Sequence, residues 1–190
     1  ASRDAALACL TFTTDFADFA DRQLVVEAVV EDESLKTEIF RKLDAAVKDP
    51  AAILASNTSS IPIMKLGIAT QRPEQVIGIH FFNPVPVLRL VELVTSLLTS
   101  PQTVQRANDF AAGVLNKRVI RSQDRAGFIV NALLIPYILS AIRMMESGFA
   151  TADDIDAGMV HGCAHPIGPL ALADLIGLDT TMAVAESMYA

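Results

Sequence analysis

Residues 24–30, Leu-Val-Val-Glu-Ala-Val-Val, form a nearly unbroken run of apolar and β-branched residues. A strand buried on both faces reads this way, whereas a strand with one wet face alternates. The period then changes. Over 31–47, Leu35, Ile39, Leu43 and Val47 recur at helical spacing, with Lys and Glu between them. A buried strand followed by an amphipathic helix is half of a βαβ unit, and the rhythm continues down the chain. A short strand is predicted over 52–56, and a turn of helix over 61–66 with Pro62 at its start. Strands are predicted over 76–81 and 87–94, a helix over 101–115 opened by Pro101, and a last strand over 118–121. This rhythm predicts an α/β domain with a mostly parallel sheet. The strand over 87–94 follows a short Pro-rich turn, so it can run antiparallel to its neighbour.

The character changes at Asp124-Arg125-Ala126-Gly127, after which only helices are expected. One spans about 127–146, kinked at Pro136. A second opens at Thr151, an N-cap followed by Asp153 and Asp154, and a third lies around 169–176. The expected organisation is therefore an α/β part over 1–123 and an all-helical part over 124–190. The run 128–145 is long and apolar, but it contains Asn131, Pro136, Tyr137, Ser140 and Arg143, which suits a buried or interfacial helix better than a membrane span. Residues 1–10 read as the tail of a helix, and residues 183–190 break off inside another, so a fragment of a longer protein is expected. The net charge is -7 with no basic patch, which disfavours nucleic acid. Cys9 and Cys163 form no CxxC motif and fit a reducing, cytoplasmic compartment, while leaving one disulfide open.

Residues 77–92, Ile-Gly-Ile-His-Phe-Phe-Asn-Pro-Val-Pro-Val-Leu-Arg-Leu-Val-Glu, carry the strongest chemical signal. Two apolar strands across one turn deliver His80 and Glu92. An unpaired buried carboxylate is costly, so the two together say more than either alone. A carboxylate beside an imidazole orients it and stabilises its protonated form, as a general base requires. Ser56-Asn57-Thr58-Ser59-Ser60 follows a strand, at the edge where open α/β sheets bind ligands, although such residues are also ordinary helix caps. Asn131 lies in an apolar helix, where it either bonds locally or serves a site. Glu31 lies where a cofactor could pass and Lys36 follows in the first turns of the next helix, yet both also read as solvated surface charge. His161 and His165 are four apart, but Gly162 sits between them, Pro166 follows and no third ligand is evident, so no metal site is expected.

These blocks together resemble a known family. Ala55-Ser-Asn-Thr-Ser-Ser-Ile61, Gly78-Ile-His-Phe-Phe-Asn-Pro-Val-Pro-Val87, Leu90-Val-Glu92, Asp124-Arg-Ala-Gly-Phe-Ile-Val-Asn131, His165-Pro-Ile-Gly-Pro169 and Asp174-Leu-Ile-Gly-Leu-Asp179 are similar to the L-3-hydroxyacyl-CoA dehydrogenases, in order and at compatible spacing. The resemblance implies a partial Rossmann-like sheet with a helical C-terminal domain. It implies NAD- or NADP-dependent interconversion of 3-hydroxyacyl-CoA, of the 3-hydroxybutyryl type, and 3-oxoacyl-CoA by a homodimer, without nucleic acid or membrane. It implies His80 as the base, Glu92 as its orienter, and Ser59 and Asn131 as substrate-positioning groups. Glu31, Lys36, Asn57 and Asn83 would lie along the cofactor. Two departures stand out. No G-x-G-x-x-G fingerprint occurs in these residues, and Ala132 stands where many relatives carry a basic residue. Three rival readings are a same-scaffold dehydrogenase of a non-CoA hydroxy acid, a non-catalytic crystallin-like relative, and a serine hydrolase built on Ser59, His80 and Glu92. The last lacks the G-x-S-x-G elbow.

Overall fold

The computed structural model describes residues 3–189. A short helix α1 (Arg3–Leu7) leads into β1 (Leu24–Glu27), α2 (Glu33–Ala46), β2 (Ile53–Ser56), α3 (Ile63–Ile68), β3 (Val76–Phe81), β4 (Leu90–Thr95), α4 (Pro101–Asn108) and β5 (Arg118–Gln123). The helical part follows as α5 (Val130–Glu146), α6 (Ala152–Cys163), α7 (Pro169–Ile176) and α8 (Leu178–Tyr189). The five strands lie in sequence order in one sheet. β1, β2 and β3 are parallel, β4 is antiparallel to β3, and β5 is parallel to β4. The expected antiparallel strand is thus present, though it begins at Leu90 rather than at 87. The helix expected over 101–115 stops being α-helical at Asn108 and continues as one π-type segment over Asp109–Val114.

Alternation along the strands splits the core in two. Val25, Leu54, Val76 and Val94 pack on one face of the sheet with Phe40, Leu43, Ile63 and Leu66 from α2 and α3. Ile53, Ala55, Ile77, Ile79, Val91 and Leu93 pack on the other with Ala107 and Ala111. Each fully buried Leu or Ile contributes about 1.5–3 kcal/mol. Gly78 permits the close fit of α3 to the sheet, because a Cβ there would lie 2.7 Å from Val94 Cβ and 3.0 Å from Ile63 Cδ1.

α2 buries most of the stripe its sequence suggests, Leu43 and Val47 with Ile39 packed beside them, and departs from it only in the first turn. Phe40 and Leu43 face the sheet, but Lys36 joins them at 1% exposure while Leu35 is 37% exposed. The reading of Lys36 as solvated surface charge is therefore overturned. The reason is Glu27, buried at the end of β1, whose Oε1 lies 2.7 Å from Lys36 Nζ. A lysine with an ionic partner inside competes successfully with a leucine that has none.

Two aspartates dock helices from a distance. Asp124 accepts from the amides of Ile63 and Met64 at 2.9 and 2.7 Å, supplying the cap that Pro62 cannot give α3. Asp156 does the same for α7, accepting from Leu170 and Ala171 at 2.8 Å each. Gly168 leaves it room, since a Cβ there would lie 2.2 Å from Asp156 Cγ. α6 starts at the expected N-cap, with Thr151 accepting from the Asp154 amide, and α5 runs on through Pro136. Among the described residues no helix is long and apolar enough to cross a membrane. Cys9 and Cys163 are both free and exposed.

Candidate active site

Three parallel strands end on one edge of the sheet, and β4 begins there. Cross-strand pairing sets His80 directly opposite Glu92. Directly opposed side chains lie on the same face, so the register alone brings the two together. His80 Nδ1 is 2.8 Å from Glu92 Oε2, and their side chains are 7% and 0% exposed. A carboxylate acceptor places a proton on Nδ1, so in the neutral ring the lone pair lies on Nε2. The imidazole also has aromatic neighbours. The Phe82 ring centroid lies 4.5 Å away and the Phe128 centroid 5.5 Å away, the latter edge-on.

Glu92 does more than hold His80. Its other oxygen, Oε1, accepts from the backbone amides of Ile129 and Val130, each at 3.1 Å. These are amides at the start of α5, whose N-terminus has no side-chain cap of its own. The carboxylate therefore takes the place of a cap and sits at the positive end of a helix dipole. One buried charge thus joins the sheet, the imidazole and the helical part. Asn131 is the next residue along α5 and is half-buried. Among the described residues no hydrogen bond links it to His80, Glu92 or Ser59.

A second polar centre lies at the ends of β1 and β2. Glu27 accepts from Lys36 Nζ and the Val29 amide on Oε1, at 2.7 and 2.6 Å, and from Ser56 Oγ on Oε2 at 2.6 Å. Lys36 Nζ also reaches Val29 O at 3.2 Å and Glu31 Oε2 at 3.4 Å, so three acceptors match its three protons. Lys36 is therefore not a free cation aimed at a ligand. Glu31 Oε1 accepts from the Ser59 and Ser60 amides at 3.0 and 3.1 Å, and also from the Thr58 hydroxyl. Successive amides and hydroxyls of this kind form a nest for an anion. Burial pushes the Glu31 carboxyl up. The Thr58 hydrogen bond, the Lys36 charge and the Ser59 and Ser60 bonds together outweigh burial and hold it below its ordinary 4.5.

Ser59 Oγ lies 3.3 Å from Glu31 Oε1. Among the described residues it makes no hydrogen bond to His80, so the nucleophile relay that a serine hydrolase needs is not assembled. Asn57 fastens the loop: its Oδ1 accepts from the Phe81 amide at 2.8 Å, and its own amide donates to Glu27 O at 2.8 Å. Asn83 is exposed in the turn after β3. A cleft of about 510 Å³ opens beside this centre, between Glu31, Ser59, Ser60 and Ile61 on one side and Asp179, Thr180, Ala183 and Val184 of α8 on the other. Among the described residues no group of three or more His, Cys, Asp or Glu could hold a metal. His161 and His165 are not a helical pair, because α6 ends at Cys163, and His165 Nδ1 lies 3.0 Å from the Tyr137 hydroxyl.

Sequence reasoning missed Glu27, Phe82, Phe128 and the hold of Glu92 on α5. Glu27 had a signal, a carboxylate inside a β-branched run that must find a partner. The bond from Glu92 to α5 had none, since it spans 37 residues.

Known proteins match this arrangement along the whole chain. The family described as 3-hydroxyacyl-CoA dehydrogenase, NAD binding domain, matches residues 1–125, and its C-terminal domain matches residues 127–190. A 3-hydroxybutyryl-CoA dehydrogenase of Mycobacterium tuberculosis is 61% identical over 187 residues, which are 98% of this chain and 65% of that protein. The human mitochondrial hydroxyacyl-coenzyme A dehydrogenase is 42% identical over 184 residues, 96% of this chain and 58% of that protein. Among solved structures, the (S)-3-hydroxybutyryl-CoA dehydrogenase PaaH1 of Ralstonia eutropha superposes with a TM-score of 0.92 at 45% identity, covering 98% of this chain and 65% of that one. The chain thus spans somewhat less than two thirds of the length of these relatives.

Proposed function

Because the chain belongs to the 3-hydroxyacyl-CoA dehydrogenase family, we propose that its protein interconverts 3-hydroxyacyl-CoA and 3-oxoacyl-CoA, with 3-hydroxybutyryl-CoA as substrate. The observation that carries this reading is the buried His80–Glu92 pair, with Nδ1 committed to the carboxylate. Nε2 is then the atom that accepts the proton of the 3-hydroxyl during oxidation and returns it to the 3-oxo oxygen during reduction. Glu92 holds the ring in one tautomer and offsets the positive charge that forms on it. Ser59 and Asn131 hold the substrate oxygen and the thioester region, so that C3 faces the cofactor. The relatives' printed names support the substrate class.

The cofactor in this reading is NAD or NADP, which when bound accepts a hydride from C3. The residues present fit its ribose end. Glu31 lines the cleft with a carboxylate kept ionised by its surroundings, an acceptor suited to sugar hydroxyls. Asn57 can donate through its NH2, since its oxygen is used by Phe81. Lys36 acts through Glu31, and Asn83 borders the site from the turn. We place the division between the cofactor part and the helical part at residue 123, where β5 ends. The helical part in this reading also pairs two copies. Leu133, Phe149, Leu175 and Met182 are each at least 60% exposed there, and an apolar groove of about 590 Å³ lies between α5, α7 and α8. Unpartnered apolar surface of this kind is what an obligate interface covers.

The test is oxidation of NADH or NADPH by the full-length protein with acetoacetyl-CoA. His80→Gln should lower kcat by at least about 100-fold, the scale of a lost general base. Wild-type rates in that variant, or no turnover of acetoacetyl-CoA by the wild type, would remove the reading.

A further inference from the structure

Phe128 holds a backbone conformation that a bulky side chain seldom adopts. Its φ is 51°, directly after Gly127 at 72°. Glycine is required at 127, since a Cβ there would lie 2.8 Å from the Ala132 nitrogen and from Met188 Sδ. At 128 glycine or asparagine would relieve the strain, yet a phenylalanine stands there. Residues held in such conformations persist where their surroundings over-determine them, and they gather at functional sites.

Two contacts indicate what this bend achieves. It turns the chain so that the next two amides, of Ile129 and Val130, both reach Glu92 Oε1 at 3.1 Å. It also tucks the Phe128 ring, 6% exposed, edge-on against the His80 ring at 5.5 Å between centroids. Both act on the geometry of the pair. The amides fix the rotation of the Glu92 carboxylate, and the carboxylate fixes the imidazole through Nδ1. The Phe128 ring, with Phe82 at 4.5 Å, blocks the imidazole from swinging off that bond.

We infer that Phe128 is a positioning residue for His80: its left-handed backbone delivers the first amides of α5 to Glu92 while its ring walls the imidazole. Docking of α5 and assembly of the His80–Glu92 pair are then one event. The inference rests on the dehydrogenase reading above. A residue that acts only through the base should affect the chemical step and spare binding.

The experiment is steady-state kinetics of the full-length protein with acetoacetyl-CoA and whichever of NADH and NADPH it oxidises. Phe128→Leu should lower kcat by about 10-fold while the KM for each substrate stays within about twofold. Phe128→Tyr, which keeps the ring, should stay within about threefold of wild type. In a His80→Gln background, Phe128→Leu should lower kcat by less than about twofold, because the group it positions is gone. A merely structural role would lower kcat equally in both backgrounds. If Phe128→Leu does not fold, Phe128→Met fills similar volume and carries the same expectation. Full kcat in Phe128→Leu or Phe128→Met, or an undiminished loss in the His80→Gln background, overturns the inference. That result leaves the dehydrogenase reading intact if His80→Gln remains impaired. If the wild type does not turn over acetoacetyl-CoA, both fall together.

Discussion

Glu27 and Glu92 are both buried in the same sheet, at 4% and 0% exposure, and they are satisfied in opposite ways. Glu27 faces a lysine ammonium, a backbone amide and a serine hydroxyl. These are one cationic donor and two neutral donors, so Glu27 is held in a buried ion pair with supporting hydrogen bonds. Glu92 faces two backbone amides on one oxygen and a histidine ring on the other. Its partner can gain and lose a proton. The same physical problem, a carboxylate removed from water, is solved by a fixed cation in one place and by an exchangeable one in the other. Only the second solution can do acid–base work, which is why a buried ion pair by itself marks structure rather than catalysis.

That contrast can be broken most severely at Glu27. Glu27→Ala leaves Lys36 buried without its closest partner and should cost about 3–5 kcal/mol of stability, measured by urea unfolding. Replacing both residues, Glu27→Ala with Lys36→Met, should recover most of that loss. A single variant as stable as wild type would mean that Lys36 escapes to solvent and that the pair does not anchor β1 to α2. Glu92→Gln should behave differently. The amide oxygen can still accept from Ile129 and Val130, so stability should fall by under about 2 kcal/mol. Its NH2, however, cannot accept from Nδ1 of His80, which favours the wrong tautomer. kcat should therefore fall by at least about 10-fold with the fold retained. Unchanged kcat in that variant would deny Glu92 its orienting role.

The smallest effect concerns Glu31, which is partly exposed. Its folded-state carboxyl is held below 4.5, so its ionised form stabilises the native state. For a depressed acid that contribution is complete above the unfolded value and fades as pH falls through the folded one. Wild type should therefore be more stable than Glu31→Gln at pH 6, and the difference should shrink on titration below 4.5. A difference that is constant or grows toward low pH contradicts the nest around Glu31.

These centres were not equally legible in the sequence. β3, α7 and the His80–Glu92 pairing follow from apolar runs and one short turn, because register carries cross-strand partners automatically. The stripe of α2 differs from the hydropathy pattern only in its first turn, because hydropathy ranks Leu35 above Lys36 and knows nothing of the partner that Lys36 finds in Glu27 of β1. The reach of Glu92 to α5 and the left-handed backbone of Phe128 depend on how two distant parts dock. Neither leaves a periodic trace, and a phenylalanine gives no sign of positive φ. The local half of the site could be read, whereas the half joining the sheet to the helices required coordinates. Asn131 illustrates the limit: its motif singled it out, while its hydrogen bonding in the structure reveals no role of its own.

In the proposed mechanism Glu92 keeps the His80 proton on Nδ1 and leaves Nε2 as the proton acceptor. Nitrogen-15 NMR of the histidine rings tests this directly, and the chain has only 3 histidines to assign. The neutral His80 ring should show a protonated Nδ1 and a bare Nε2, and Glu92→Gln should reverse or scramble that pattern. A wild-type ring protonated on Nε2, or one whose tautomer ignores the Glu92 substitution, would contradict the account.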